Sequence, residues 1–142
     1  MAVLGLDYGE KTVGVACTDA LGMTVQPLET IFRKEENKLR RTCARIEELI
    51  KIHGVDRIVM GLPLNMDGSE SDRSALVREF QETLQRRTGL SVTLHDERLT
   101  TVEAEEILKE ADVPREERKA YIDKIAAALI LEDFMNGEKK HE

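Results

Sequence analysis

Three carboxylates stand in this chain where an ionised group is poorly tolerated. Asp7 closes the run "VLGLD", apolar on both faces as a central buried strand would be, so its side chain emerges at the strand's end. Glu97, with Asp96 beside it, follows a second strand-like run, "SVTLH", and precedes a helical segment. Asp123 lies in "KAYIDKIAAALIL". Its helical neighbours there are Ala120, Ala126, Ala127 and Ile130, so the acid shares a face of small apolar residues suited to close packing. Each acid also has a purely structural account: a turn aspartate ahead of Tyr8-Gly9, acids complementing a helix N-terminus, and a surface pair of Lys119 with Asp123. That last pair, basic before acidic, contributes only about a few tenths of a kcal/mol. An unpaired buried charge costs on the order of several kcal/mol, so an ionised Asp123 needs a partner such as a cation.

Strand ends at the middle of a sheet can bring Asp7 and Glu97 together, and a final helix can lay Asp123 across them. Clustered carboxylates raise one another's pKa unless a divalent ion neutralises them. All-oxygen ligation without Cys or clustered His points to Mg²⁺ or Mn²⁺ rather than zinc. Two such ions about 3.5–4 Å apart activate a water and stabilise the leaving oxygen of a phosphodiester. The chemistry expected is metal-dependent nuclease chemistry, with Asp7 bridging the metals and Glu97 and Asp123 completing their shell.

The elements that must position these groups are legible in outline. Residues 2–7 and 12–18 read as strands joined by a glycine turn, and 24–32 as a third strand. A helix over 37–53 carries Leu39, Cys43, Ile46 and Ile50 at helical spacing and stops at Gly54. A short strand over 56–60 leads into a loop over 61–70, marked by Pro63 and Asp67-Gly68. Next comes a helix with the stripe Leu76, Val77, Phe80 and Leu84, ended by Gly89, and then the strand 91–95. Thr100 and Glu103 make a capping box for another helix, Pro114 breaks it, and a last helix covers 116–135 with Asn136-Gly137 as its stop. Residues 137–142 read as a short polar tail of a single domain spanning 1–142. The order predicts an α/β fold: a mixed five-stranded sheet with a three-stranded antiparallel start, then β/α crossovers, with helices on both faces. That is the topology of a ribonuclease H-like domain.

Bulk properties agree with one charged globular domain. The chain has 142 residues, of which 41% are hydrophobic and 35% charged. Its longest apolar run, 125–131, is too short to span a bilayer, and no leader opens the chain, so a cytoplasmic location without a membrane partner is expected. Cys17 and Cys43, far apart in apolar patterns, read as buried thiols. A net charge of −7 argues against a general nucleic-acid binder. Its distribution weakens that objection, because Arg33, Lys34, Lys38, Arg40, Arg41 and Arg45 face only Glu35 and Glu36 over 31–45. Such a run is a solvated helix face or a track for a phosphate backbone.

Four blocks, "GLDYGEKTVGVACTD" (5–19), "GLPLNMDG" (61–68), "DERLTT" (96–101) and "IDKIAAALIL" (122–131), resemble in order and spacing the signature blocks of the YqgF/RuvX family. The resemblance spans essentially the whole chain. It implies a ribonuclease H-like nuclease that matures the 5′ end of precursor 16S ribosomal RNA or resolves Holliday junctions in branched DNA. It puts the family's acids on Asp7, Glu97 and Asp123, the three already singled out. It also makes Arg98 a phosphate contact, with a surface salt bridge as the alternative. Asn65 and the backbone of the loop before Gly68 become contacts for nucleic acid, against a plain structural turn. At the hairpin, Lys11-Thr12-Val13 stands where the family often has an Arg and Ile pair, with Lys11 as a candidate substrate contact, and Gly9 is small for an approaching phosphate or for the turn alone.

Two other classes remain open. The glycine hairpin is similar to the phosphate grip of sugar kinases and Hsp70-like ATPases, but 142 residues leave no room for the second lobe those enzymes need. A non-catalytic nucleic-acid-binding factor would show affinity unchanged by metal removal or Asp7 substitution, with no cleavage. Junction resolution would require two sites in a homodimer, whereas RNA processing is compatible with a monomer.

Overall fold

A computed structural model describes residues 2–98 and 100–140. The chain runs β1 (Ala2–Tyr8), β2 (Thr12–Thr18), β3 (Val25–Phe32), α1 (Arg40–His53), β4 (Val55–Leu62), α2 (Asp72–Thr88), β5 (Val92–Asp96), α3 (Thr100–Glu110) and α4 (Arg115–Lys140). The strands form one five-stranded sheet in the order β3-β2-β1-β4-β5. β1 pairs antiparallel with β2 and parallel with β4, β2 pairs antiparallel with β3, and β5 continues parallel to β4. The mixed sheet with an antiparallel start is the one expected, and β1 is its central strand.

Side-chain alternation divides the sheet into two unlike faces. Leu4, Leu6 and Tyr8 of β1, with Ile58 and Met60 of β4, pack beneath α1 and α2 among large residues such as Ile46 and Phe80. On the opposite face Val3, Ala16 and Val59 meet Ala127, Ile130 and Leu131 of α4. α4 comes closest to this face where the sheet offers glycine. A Cβ at Gly5 would stand 2.9 Å from Leu131 Cβ, and one at Gly14 would overlap the backbone carbonyl of Asp123. The first site is tight; the second admits nothing but hydrogen.

Several boundaries differ from the sequence expectation, each for a tertiary reason. β4 extends through Gly61 and Leu62, read above as loop, because the parallel ladder continues with Gly61 opposite His95 and Leu62 opposite Asp96. α1 begins at Arg40 rather than near residue 37. α4 does not stop at Asn136-Gly137 but continues to Lys140, so residues 137–140 of the expected tail are helical. Glycine inside a helix costs only about 1 kcal/mol relative to alanine. Against that cost, Arg57 holds Glu138 through two hydrogen bonds of 2.8 and 2.6 Å and its guanidinium lies 5.4 Å from the Phe134 ring centre.

The capping box expected at Thr100 is not the arrangement found. Thr100 is the first residue of α3, its amide donating to the Glu97 carbonyl at 3.1 Å, and Leu99 lies outside the described residues. A reciprocal box caps the start of α2 instead, between Ser71 and Ser74. The Lys119–Asp123 pair also falls outside the described residues, as does any side-chain role of Ala120. Cys17 and Cys43 are buried free thiols. Among the described residues no helix is long and apolar enough to cross a membrane.

Replacing Gly14 by alanine should lower stability in urea unfolding by about 3 kcal/mol, the upper part of the range for overpacking, because the obstacle is the α4 backbone and not a movable side chain. The same change at Gly54, whose added Cβ would meet nothing within 4 Å but whose φ is +63°, should cost about 1 kcal/mol through backbone strain alone.

Candidate active site

Alternation along β1 carries the α4-facing series from Val3 and Gly5 to Asp7, the first position of that series to bear a charge. On β5 the same face continues through His95 to Glu97, which lies just past the strand with its amide 3.3 Å from the Leu62 carbonyl. β4 runs between them. The register of β1 on β4, Leu6 opposite Met60, puts Gly61 beside Asp7. The Glu97 carboxyl crosses over Gly61 to reach Asp7, and the two are joined by a hydrogen bond. A Cβ at Gly61 would stand 2.7 Å from both Cδ and Oε2 of Glu97, so the crossing exists because that position has no side chain.

β2 supplies the other flank. Gly14 is the antiparallel partner of Asp7 and is also where the Asp123 backbone rests on the sheet. Asp7 therefore sits between two bare positions, one occupied by the Glu97 carboxyl and the other by the α4 backbone. Asp123 is half-buried and acts on Asp7 through its charge. A cleft of about 390 Å³, lined by Asp96, Glu97, Arg98, Glu103 and Asp133 among others, opens the Glu97 side to solvent.

Electrostatics mark the pair. Burial, and then the Asp123 charge, push the Asp7 carboxyl up to about 6 despite the Glu97 hydrogen bond and the Arg73 charge, which work the other way. Glu97 is pushed further up, by burial first and then by the charge and hydrogen bond of Asp7. Two carboxyl groups in contact in a poorly solvated place hold a proton between them at neutral pH. Among the described residues no three His, Cys, Asp or Glu side chains converge as a ready-made metal cage. What is assembled is a touching pair with a third acid within electrostatic range. Its donors are all oxygen and its negative charge exceeds what Arg73 offsets, and that chemistry fits a hard divalent cation.

The family described as RuvX, Holliday junction resolvase, matches residues 1–137. This chain belongs to the RuvX family. It is 56% identical to a protein of Lachnospira eligens over 99% of this chain and 100% of that one, and 50% identical to one of Agathobacter rectalis over 96% and 95%. Both carry the name "Putative pre-16S rRNA nuclease". Among solved structures, Thermus thermophilus RuvC is similar with a TM-score of 0.58 at 14% identity, over 99% of this chain and 97% of that one. The fowlpox virus Holliday junction resolvase is similar with a TM-score of 0.53 at 15% identity, over 96% and 99%. These likenesses establish the ribonuclease H-like fold of the RuvX chain, as its strand order does.

The remaining candidate residues of the RuvX blocks have structural partners. Arg98 forks onto Asp96, Nε to Oδ2 at 2.9 Å, and donates to the Met66 carbonyl at 3.0 Å, so it ties the loop after β4 to the end of β5. The salt bridge weighed for it is present, Nη2 lying 2.8 Å from Asp96 Oδ2. Asn65 closes its own loop, donating to Ser69 Oγ at 2.9 Å and to the Glu70 carbonyl at 3.4 Å. Gly9 makes the hairpin turn, its amide 2.7 Å from the Thr12 carbonyl, while its own carbonyl accepts from Arg33 at 2.6 Å. Lys11 is exposed at the hairpin tip.

Arg73 was missed from sequence. It reaches from the first turn of α2 to donate to the Tyr8 carbonyl at 3.2 Å, pairs with Glu36, and lowers the pKa of both Asp7 and Glu97. A signal for it exists: an arginine in a first helical turn runs against the helix dipole, where Asp or Glu is favoured.

Raised carboxyl pKa values mean that the folded chain binds protons which the unfolded chain, titrating near 4, releases. The stability that the pair contributes is therefore fully present below about pH 4 and is lost as the pH rises through the raised values. In chelator, Asp7→Asn should be more stable than wild type at pH 8.5, by roughly 1–3 kcal/mol, with the margin shrinking by pH 5. Thermal unfolding at the two pH values measures this, and an equal margin at both would contradict the raised pair.

Proposed function

We propose that this RuvX chain is a divalent-cation-dependent endonuclease that hydrolyses phosphodiester bonds of structured RNA, with precursor 16S ribosomal RNA as its substrate in the cytoplasm. The observation that carries this reading is the Asp7–Glu97 contact across Gly61, made at the carboxyl ends of parallel strands and overlooked by Asp123. A fold that needed no chemistry there would gain by replacing either acid with an uncharged residue.

Asp7, Glu97 and Asp123 would hold the cation, Mg²⁺ or Mn²⁺, as one ion or a pair. When bound, it supplies charge neutralisation and Lewis acidity at a phosphodiester. The chain's own residues do the rest. The Asp7–Glu97 pair gives up its shared proton as the site is loaded, so loading strengthens as the pH rises. Arg73 offsets part of the remaining negative charge from the strand end. Asp96, Arg98 and the Met66 carbonyl hold the loop after β4 against the cleft, where a substrate strand has to pass. Precursor ribosomal RNA is favoured by the names of the near relatives. Branched DNA is the second reading, favoured by the description of the family and by RuvC, one structure of which holds a Holliday junction substrate.

Asp7→Asn should fold and lose Mn²⁺-dependent cleavage entirely, assayed side by side on precursor ribosomal RNA and on a four-way DNA junction. Cleavage of the junction alone by wild type selects the second reading; undiminished cleavage by the variant sinks both.

A further inference from the structure

Six of the twelve arginines of this acidic chain form ion pairs among the described residues. Arg45 pairs with Glu29, Arg57 with Glu138, Arg78 with Glu70, Arg87 with Glu47 and Arg98 with Asp96. Over residues 32–41 the pattern reverses. Lys34, Lys38, Arg40 and Arg41 are exposed, form no ion pair among the described residues, and line a groove of about 790 Å³ together with Phe32, a residue 70% exposed. Glu35 also lines the groove, one acid against these four cations, and the nearby Glu36 is engaged by Arg73.

Two further features of the groove lack an anion. α1 starts there with no side-chain cap and no acid in its first turn, where Arg40 and Arg41 stand against the helix dipole. Arg33 also lines the groove. It is 8% exposed, its Nε and Nη2 are bonded to the Glu36 and Gly9 carbonyls, and its Nη1 is buried with no hydrogen-bond partner. A phosphate in the groove would meet uncapped amides and unpaired cations, with the buried Arg33 guanidinium adding its charge from behind them.

The groove lies at the same end of the sheet as Asp7. Phe32 pairs with Thr12 just after the β1–β2 hairpin, and the Arg33 amide donates to the Lys11 carbonyl at 2.9 Å. An exposed aromatic ring among phosphate-binding cations matches a strand whose bases are unpaired, because only these offer a free face for stacking.

We propose that the groove over residues 32–41 binds the single-stranded RNA that flanks the scissile bond, with phosphates on Lys34, Lys38, Arg40, Arg41 and the start of α1, and a base stacked on Phe32. The choice of RNA rests on the nuclease reading; the binding surface does not.

The test is fluorescence anisotropy in chelator, so that cleavage does not enter, with a labelled single-stranded RNA of about 12 nucleotides and a duplex of the same length. Phe32→Ala should weaken single-strand binding roughly tenfold and leave duplex binding unchanged. Arg40→Glu/Arg41→Glu should weaken it at least as much and flatten the slope of log K against log salt by about 1–2. Both substitutions are at exposed positions; Lys38→Gln, with a smaller loss and a slope change of about 0.7, serves if the double variant does not fold. Wild-type affinity in Phe32→Ala and Lys38→Gln overturns the proposal, and so does a change of sedimentation behaviour without a change in RNA affinity, which would mean the groove seats a second copy of this chain. Wild type that binds but never cleaves with Mn²⁺ leaves this inference standing and removes the nuclease reading.

Discussion

Two carboxyl groups meet across a strand that offers no side chain between them. Every other feature of the site follows from that contact. Asp7 is on the central strand and Glu97 is two strands away, so the pair can touch only if the intervening position is bare, as Gly61 is. On the other side of Asp7 the constraint is repeated with a different occupant, since Gly14 gives its space to the backbone of α4 at Asp123. The acids are thus brought together by what two neighbouring strands omit.

The rest of the fold is organised to tolerate this. The sheet is anchored on one face by a core of large side chains under α1 and α2, and on the opposite face α4 comes closest where the sheet offers glycine. Side chains at those positions would have lifted Asp123 away from Asp7. α4 is further restrained at its far end, where Arg57 on β4 grips Glu138 and lies against Phe134. His95 bonds Asp133 at 2.6 Å and fixes the β5 end to the same helix. Stability lost by crowding acids at one end of the sheet is offset by contacts that hold the helix which completes them.

Two of the three acids stand out in the sequence because they break patterns that burial imposes: Asp7 ends a run apolar on both faces and Asp123 interrupts a face of alanines, whereas Glu97, just before a helix start, looks ordinary by itself. The mixed sheet with its antiparallel start was legible too, since a hairpin followed by strand–helix alternation admits few arrangements. The means by which the acids meet was not legible. Gly61, two residues before a proline, reads as the start of a loop, and only the ladder with β5 makes it a strand position. Arg73 was hidden for a related reason, because its target is the end of a strand 65 residues away. Arg98 and Asn65 were legible as polar residues beside the site, but the sequence could not say that their hydrogen bonds turn inward, onto Asp96, Met66, Ser69 and Glu70.

Net charge was the weakest guide of all. A value of −7 suggests repulsion from any polyanion, yet it is an average over a surface on which some acids are clustered at the site and others are held in ion pairs with arginines. A phosphodiester approaching Asp7, Glu97 and Asp123 meets like charge, so such a site favours its substrate only when cations are present in it. Attraction at a distance has to come from elsewhere on the surface. Within a Debye length of roughly 8 Å at physiological salt, local charge outweighs the total, and the cations left unpaired between β3 and α1 set the potential over their own groove. An acidic protein can therefore handle nucleic acid if it separates the surface that attracts the backbone from the cluster that acts on it, and here both stand at one end of a single sheet.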